Sequence, residues 1–180
     1  EGAILQGANL QGTNLLSANL WEANLNGANL GRAKLEGANL GKADLEGTNL
    51  ERVILQGANL QGANLKRANL NEANLVEAHL VQADLEKANL TKANLTKANL
   101  EGVSLVGADL IGANLIGADL KDTNLENANL SGTNFESANL ENTNLSGTNL
   151  GRANLQSANL ERAILLGANL KNARLYNTNL

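Results

Sequence analysis

Ala8-Asn9-Leu10-Gln11-Gly12-Thr13-Asn14-Leu15-Leu16-Ser17-Ala18-Asn19-Leu20 holds the pattern that decides the fold. An apolar residue returns every fifth position, two places after a small one, with a polar residue between them. The beat runs from Leu5 to Leu180, and Phe135 is its only substitution for Leu. Most of the small residues are Ala, some are Thr, and two are Val (Val53 and Val103). The register set at Ala3-Ile4-Leu5 is intact at Thr178-Asn179-Leu180, with no Pro, insertion or deletion.

This period rules out the ordinary elements. Five residues of α-helix turn 500°, which sprays the leucines around the cylinder instead of forming a stripe. A flat strand fails because an odd step puts successive leucines on opposite faces. A chain that turns a corner every five residues satisfies the pattern. Leu and the small residue two before it then point inward as an i, i−2 pair, and the other three residues face water. Periodicity alone leaves three or four sides open.

The unit Ala-(Asn/Asp)-Leu-x-x stands out at Ala8-Asn9-Leu10, Ala18-Asn19-Leu20, Ala83-Asp84-Leu85 and Ala108-Asp109-Leu110. The whole chain resembles the pentapeptide-repeat family. That resemblance implies an all-β, right-handed quadrilateral parallel β-helix of nine coils of twenty residues, a single domain of 36 tandem repeats over residues 1–180. Coils stacked at strand spacing would give a rod ~40 Å long, with each backbone bonded to the next coil. The missing Met at position 1 is taken to mean a domain excised from a larger protein.

The core ladder is expected in Leu10, Leu15, Leu20, Leu25 and their successors, with Phe135 as a larger ring in a lattice sized for Leu. Each buried Leu contributes about 1.5–3 kcal/mol of transfer energy before chain entropy. Thr13, Thr48, Thr123, Thr133, Thr143, Thr148 and Thr178 occupy the small position, where their hydroxyls should turn to nearby carbonyls. Asn9, Asn29, Asn49, Asn69 and Asn89 fall twenty apart and should bond one another along the rod, with Asp109, Asn129, Asn149 and Asn169 extending the column. The ladder edges and apolar core should be open around Leu5 to Leu20 and Leu165 to Leu180.

Net charge is −4 from 14 basic and 18 acidic side chains, which gives no strong electrostatic partner preference. The acids gather in residues 101–149, with seven against one base, and residues 150–180 carry four bases and one acid. Cys is absent, which removes thiolate metal sites and disulfides. His79 is the sole histidine, with Asn59 and Asn99 beside it in its column and Asp119 two coils away, too far for general-base or metal geometry. Asp44 and Asp84 are separated by Asn64 and make no catalytic pair. The Gly residues mark corners of the repeat rather than a phosphate loop. A rod filled with Leu leaves no ligand-sized pocket. No enzyme activity, catalytic residue, metal or cofactor is therefore expected.

Function should reside in the faces. Arg32, Arg52, Lys92 and Arg152 share one outward column, interrupted by Glu72. Val106, Ile111 and Ile116 are outward apolar residues on consecutive sides of a coil. These seven form the candidate interaction surface. The expected partner is a protein, with end-to-end self-association as a further mode, and no direct nucleic-acid binding is expected. The domain is expected to be soluble and in a bacterial cytoplasm, with membrane contact only through a membrane-anchored parent. Long all-Leu arrays look like cyanobacterial members of the family, which implies a structural or interaction role in localising or assembling a heterocyst glycolipid layer. The alternative that the resemblance implies is a DNA-mimicking protein that binds gyrase, although many such members carry Phe where this chain has Leu.

Overall fold

In the computed structural model, which describes residues 2–180, twenty residues make one circuit. The residue at the centre of each side, polar everywhere except at Ile4, Ile54 and Ile164, pairs in parallel with the residue twenty further on, from Ile4 with Asn24 to Asn159 with Asn179. Each side is three residues long. The small residue and Leu point in, and the polar residue points out, as period-two geometry requires. Side chains from Leu25 through Leu155 at the fifth position are at most 1% exposed, so the interior is dry along the middle of the rod. Of the expected ladder, Leu20, Leu25 and Phe135 are buried, whereas Leu10 and Leu15 in the first coil are half-buried. In the last coil Leu165 and Leu170 are half-buried, and Leu175 and Leu180 are exposed.

The corners follow one rule. The second outward residue of every unit, from position 2 to position 177, has a positive φ between 54° and 69°. The N–H of the following small residue returns to the carbonyl of the preceding Leu, as in Ala8 to Leu5 at 3.0 Å. A four-residue turn with positive φ only at its third residue is type II. Fifteen of these corners are Gly, but twenty-one carry a side chain, among them Arg67, Glu77, Lys92 and Asn127. None of the twenty-one is β-branched, because a branched Cβ in the left-handed region is a true outlier. Val76, Val81, Thr91, Thr96, Val106, Ile111 and Ile116 all stand instead at the first outward position, which has no positive φ. Turn geometry thus sorts the surface residues before any partner does.

The backbone donors of a pentad are fully used. The Leu N–H donates to the next coil (Leu45 to Asn64, 2.7 Å), and the polar N–H donates to the previous one (Asn64 to Ala43, 3.0 Å). The corner N–H donates to the next coil (Gly47 to Lys66, 2.9 Å), and the small residue closes the turn. One N–H is left over, at the first outward residue. The Asn side chain two residues earlier accepts it, as Asn49 Oδ1 does from Glu51 at 3.1 Å. Asp serves equally: Asp84 Oδ1 accepts from Glu86 at 3.0 Å. This local side-chain bond completes the donor accounting that buried or semi-buried backbone demands.

The Asn amide then does second duty along the rod. Asn49 Nδ2 donates to Asn29 Oδ1 at 3.0 Å, and Asn69 and Asn89 continue the ladder at 3.3 and 3.2 Å. It stops at Asp109, whose carboxylate has no N–H to give Asn89, and resumes with Asn149 to Asn129 at 3.1 Å. All seven expected Thr hydroxyls find carbonyls. Thr48, Thr123, Thr133, Thr143 and Thr178 donate to a Leu in the previous coil, as Thr48 does to Leu25 at 2.9 Å. Thr13 and Thr148 donate to the Leu of their own turn at 2.7 Å.

Two substitutions test these rules. At Gly102, with φ of 67°, an added Cβ would meet Gln82 Cγ at an ordinary 3.6 Å, so any cost is conformational. Gly102→Val should lower unfolding free energy by about 1–2 kcal/mol and Gly102→Asn by a few tenths, measured by urea denaturation. Asp109→Asn should reconnect the amide ladder and raise stability by ~0.5–1.5 kcal/mol in the same assay.

Candidate interaction faces

The inward half of each unit is nearly invariant, so the outward positions hold whatever distinguishes one face from another. Arg32, Arg52, Lys92 and Arg152 lie at second outward corners of one edge, all exposed and all with positive φ. They do not form a continuous cationic stripe. Glu72 occupies the next coil after Arg52 and takes its Nε–H at 2.8 Å. The hydrogen bond and charge of Arg52 hold the Glu72 carboxyl below its ordinary value of 4.5, with Lys92 adding to the effect from the other side. The same contact raises Arg52.

A second set of charges crosses the adjacent corner. Lys66 Nζ is 3.1 Å from Asp84 and 3.9 Å from Glu86, and Lys87 reaches Glu86 at 2.9 Å. Hydrogen bonding from Lys87, then its charge, lowers the Glu86 carboxyl, while Asp84 raises Lys66. Further along, Lys121 pairs with Glu141 at 3.3 Å. All of these but Lys87–Glu86 run between neighbouring coils, where the twenty-residue register puts side chains at strand spacing. They alternate the sign of charge along the edges.

Val106, Ile111 and Ile116 occupy three successive corners. Ile111 is 39% exposed and the other two are half-buried. Asp109 lies between the first two and Asn114 between the second pair, so the structure does not merge them into one apolar patch. Ile111 and Ile116 do bound a single side, with Thr91, Asn94 and Thr96 beside them in the previous coil.

Two features of the surface escaped the sequence reading. The Trp21 ring lies over Gly41, where an added Cβ would clash with the ring. Lys42 Nζ sits 5.3 Å from the ring centroid and 3.8 Å from Glu22, so the indole is covered by a cation on its face. Gly41 has no positive φ, and the residue is small to admit the ring. The second feature is a shallow groove of about 240 Å³ lined by Ser131, Gly151, Arg152, Asn169, Lys171 and Asn172. It was missed because the sequence reading treated every Gly as a corner residue.

The sites dismissed from sequence are separate in space as well. His79 is exposed and bridges Asn59 and Asn99, and Asn64 stands between Asp44 and Asp84 with its Nδ2 on Asp44 at 3.0 Å. Among the described residues no three His, Cys, Asp or Glu side chains gather in a metal-binding group, and no helix is long and apolar enough to cross a membrane.

The model of pentapeptide repeats matches this sequence over residues 3–41, 28–71, 68–107, 104–142 and 143–180. The chain belongs to the pentapeptide-repeat family. Its fold is accordingly the family's right-handed quadrilateral β-helix. HetL from the cyanobacterium Nostoc sp. strain PCC 7120, a pentapeptide-repeat protein involved in heterocyst differentiation regulation, is similar over 97% of this chain and 87% of its own, at 35% identity and a TM-score of 0.60. A pentapeptide-repeat protein of the Arabidopsis thaliana thylakoid lumen shares 23% identity over 67% of this chain and 70% of its own, with a TM-score of 0.48. QnrB1, a plasmid-mediated fluoroquinolone resistance protein, shares 20% identity over 92% and 85%, also with a TM-score of 0.48. No curated protein matches the chain.

The Arg52–Glu72 contact gives a pH test. Because the folded Glu72 value is depressed, its contribution to stability is present above the ordinary value of 4.5 and is lost as pH falls through the lower folded value. Glu72→Gln should therefore flatten the acid limb of the thermal-melting profile slightly and leave the high-salt profile unchanged, since both groups are exposed and screened.

Proposed function

We propose that this chain is a non-enzymatic rod of nine coils that binds protein through its sides. The observation that carries the reading is the division of labour in each repeat. Small residue and Leu are committed to the core, Asn to backbone bonding, and only the two corner residues are free to vary. Such a surface is convex and rigid, suited to spacing or docking other proteins rather than enclosing a substrate. The edge with Arg32, Arg52, Lys92 and Arg152 and the side bounded by Ile111 and Ile116, with Val106 at the next corner, are the proposed contact areas.

The likeness to HetL supports a cyanobacterial setting connected with heterocysts. Within it, we place this rod in the localisation or assembly of the heterocyst glycolipid layer, as a cytoplasmic part of a membrane-anchored parent. End-to-end self-association belongs to the same proposal. The alternating ion pairs Arg52–Glu72 and Lys66–Asp84 interrupt the uniform acidic face that DNA mimicry needs.

Photo-crosslinking residues placed at positions 52, 92, 111 and 116, and in the first and last coils, test this in heterocyst-forming cells. Adducts to one protein from a single side, or between coil ends of two copies, are expected. Adducts spread evenly over all positions would overturn the docking reading. Inhibition of gyrase supercoiling by low-micromolar purified protein would replace it with mimicry.

A further inference from the structure

The groove at Gly151 has a physical origin that points to a ligand. Its edge carries Ile111, Ser131, Gly151 and Lys171 at the first outward position of successive coils. Gly151 has no positive φ, so backbone conformation does not require Gly there. Its effect is a missing side chain, which opens a notch between Ser131 and Lys171. The Ser131 hydroxyl, which lines the opening, is engaged in donating to the Gly151 carbonyl at 3.2 Å. Three nearby backbone donors are also occupied, Gly151 N–H by Asn149 Oδ1, Lys171 N–H by Asn169 Oδ1, and Arg152 N–H by the Lys171 carbonyl, whereas the Asn172 N–H has no acceptor among the described residues.

Besides these groups and Asn172, the notch is lined by charge. Arg152 and Lys171 both line it, and neither has an ion-pair partner within 4.0 Å among the described residues, unlike Arg52, Lys66, Lys87 and Lys121. No carboxylate lines the groove. Glu161, the one acid in residues 150–180, lies on another corner beside Arg162 at 3.8 Å. Two unpaired cations of different shape thus flank one opening. A guanidinium fork can hold two oxygens of an oxyanion, and an ammonium supplies a point charge to a third. Two positive charges match a dianion better than a monoanion.

We infer that the Gly151 groove binds a phosphate monoester group, with Arg152 and Lys171 as its cationic ligands and the Asn172 amide beside them. The phosphate could be free or the headgroup of a lipid. The open geometry leaves room for either, because only the phosphate has to enter. This inference does not depend on the protein-docking reading.

The test is amide chemical-shift mapping of the whole 180-residue protein titrated with inorganic phosphate, with acetate at equal ionic strength, and with vesicles carrying phosphatidate in neutral lipid. Shifts confined to Gly151, Arg152, Lys171 and Asn172 are expected, saturating on the order of 1–10 mM phosphate. Arg152→Gln and Lys171→Gln should each weaken binding roughly tenfold. Both keep the fold within reach, since Gln82 already occupies a left-handed corner like that of Arg152, Gln61 a first outward position like that of Lys171, and both side chains are exposed. Gly151→Ser should close the notch, as Ser131 stands at the same position one coil earlier. Response to phosphatidate vesicles alone supports the site with a lipid source, and response to inorganic phosphate supports a free one. No local shift with either, an equal response to acetate, or undiminished binding by Arg152→Gln overturns the inference.

Discussion

Everything in this rod depends on a left-handed residue at every corner. A type II turn lets the chain change direction in two residues while its flanking sides stay extended and able to bond the coils above and below. The corner N–H then joins the inter-coil ladder, as at Arg67 to Glu86 at 3.0 Å, so the turn is stitched into the stack. That bonding explains how eighteen of the twenty-one residues with a Cβ, all but Arg162, Asn172 and Asn177 in the last coil, hold a conformation that costs about 1 kcal/mol or more outside Gly. The neighbouring coils over-determine the corner, and no β-branched side chain is found there.

The same constraint shapes what the surface can offer a partner. At the corners, apolar residues are confined to first outward positions, the second being Gly or polar, and charged chains such as Lys66 and Arg52 occupy both. A first outward residue is held close to the wall by the Asn two before it, as Ile111 is by Asp109 at 3.1 Å. A second outward residue projects freely, which lets Arg52 reach Glu72 and Lys42 reach the Trp21 ring. Apolar side chains at the corners are therefore limited to one of the two outward positions, while charge is available at both.

Much of this was legible in the sequence. The inward Leu, the buried Phe135 and the Thr hydroxyls on carbonyls follow from the five-residue period, and the Asn9 to Asn89 ladder needs in addition the twenty-residue coil that the family resemblance implies. The Asn role at its own corner was less visible. Its Oδ1 acceptance of the i+2 N–H depends on a local donor left over by the ladder, and that remainder appears only when every N–H has been assigned. The corner rule was hidden by mixture, since Arg, Lys, Glu, Ser and Asn stand where Gly alone would have declared a positive φ. The amide ladder was also read as running through Asp109, but a carboxylate cannot pass the donor on.

Glycine shows why a regular repeat cannot be interpreted by residue type alone. Fifteen glycines occupy left-handed corners, where the absent Cβ relieves the backbone. Gly31, Gly41 and Gly151 occupy first outward positions, where the backbone needs no relief and the absent side chain creates space. Around Gly31 that space is close to the Asn29 and Asn49 amides, at 3.2 Å from where a Cβ would be. At Gly41 it holds an indole, and at Gly151 it is a groove between unpaired cations. The period defines which residues are ordinary, so a Gly one position early becomes a signal. In a rod whose regular positions are all committed to folding, such departures are where a particular function can be written without loss of the ladder.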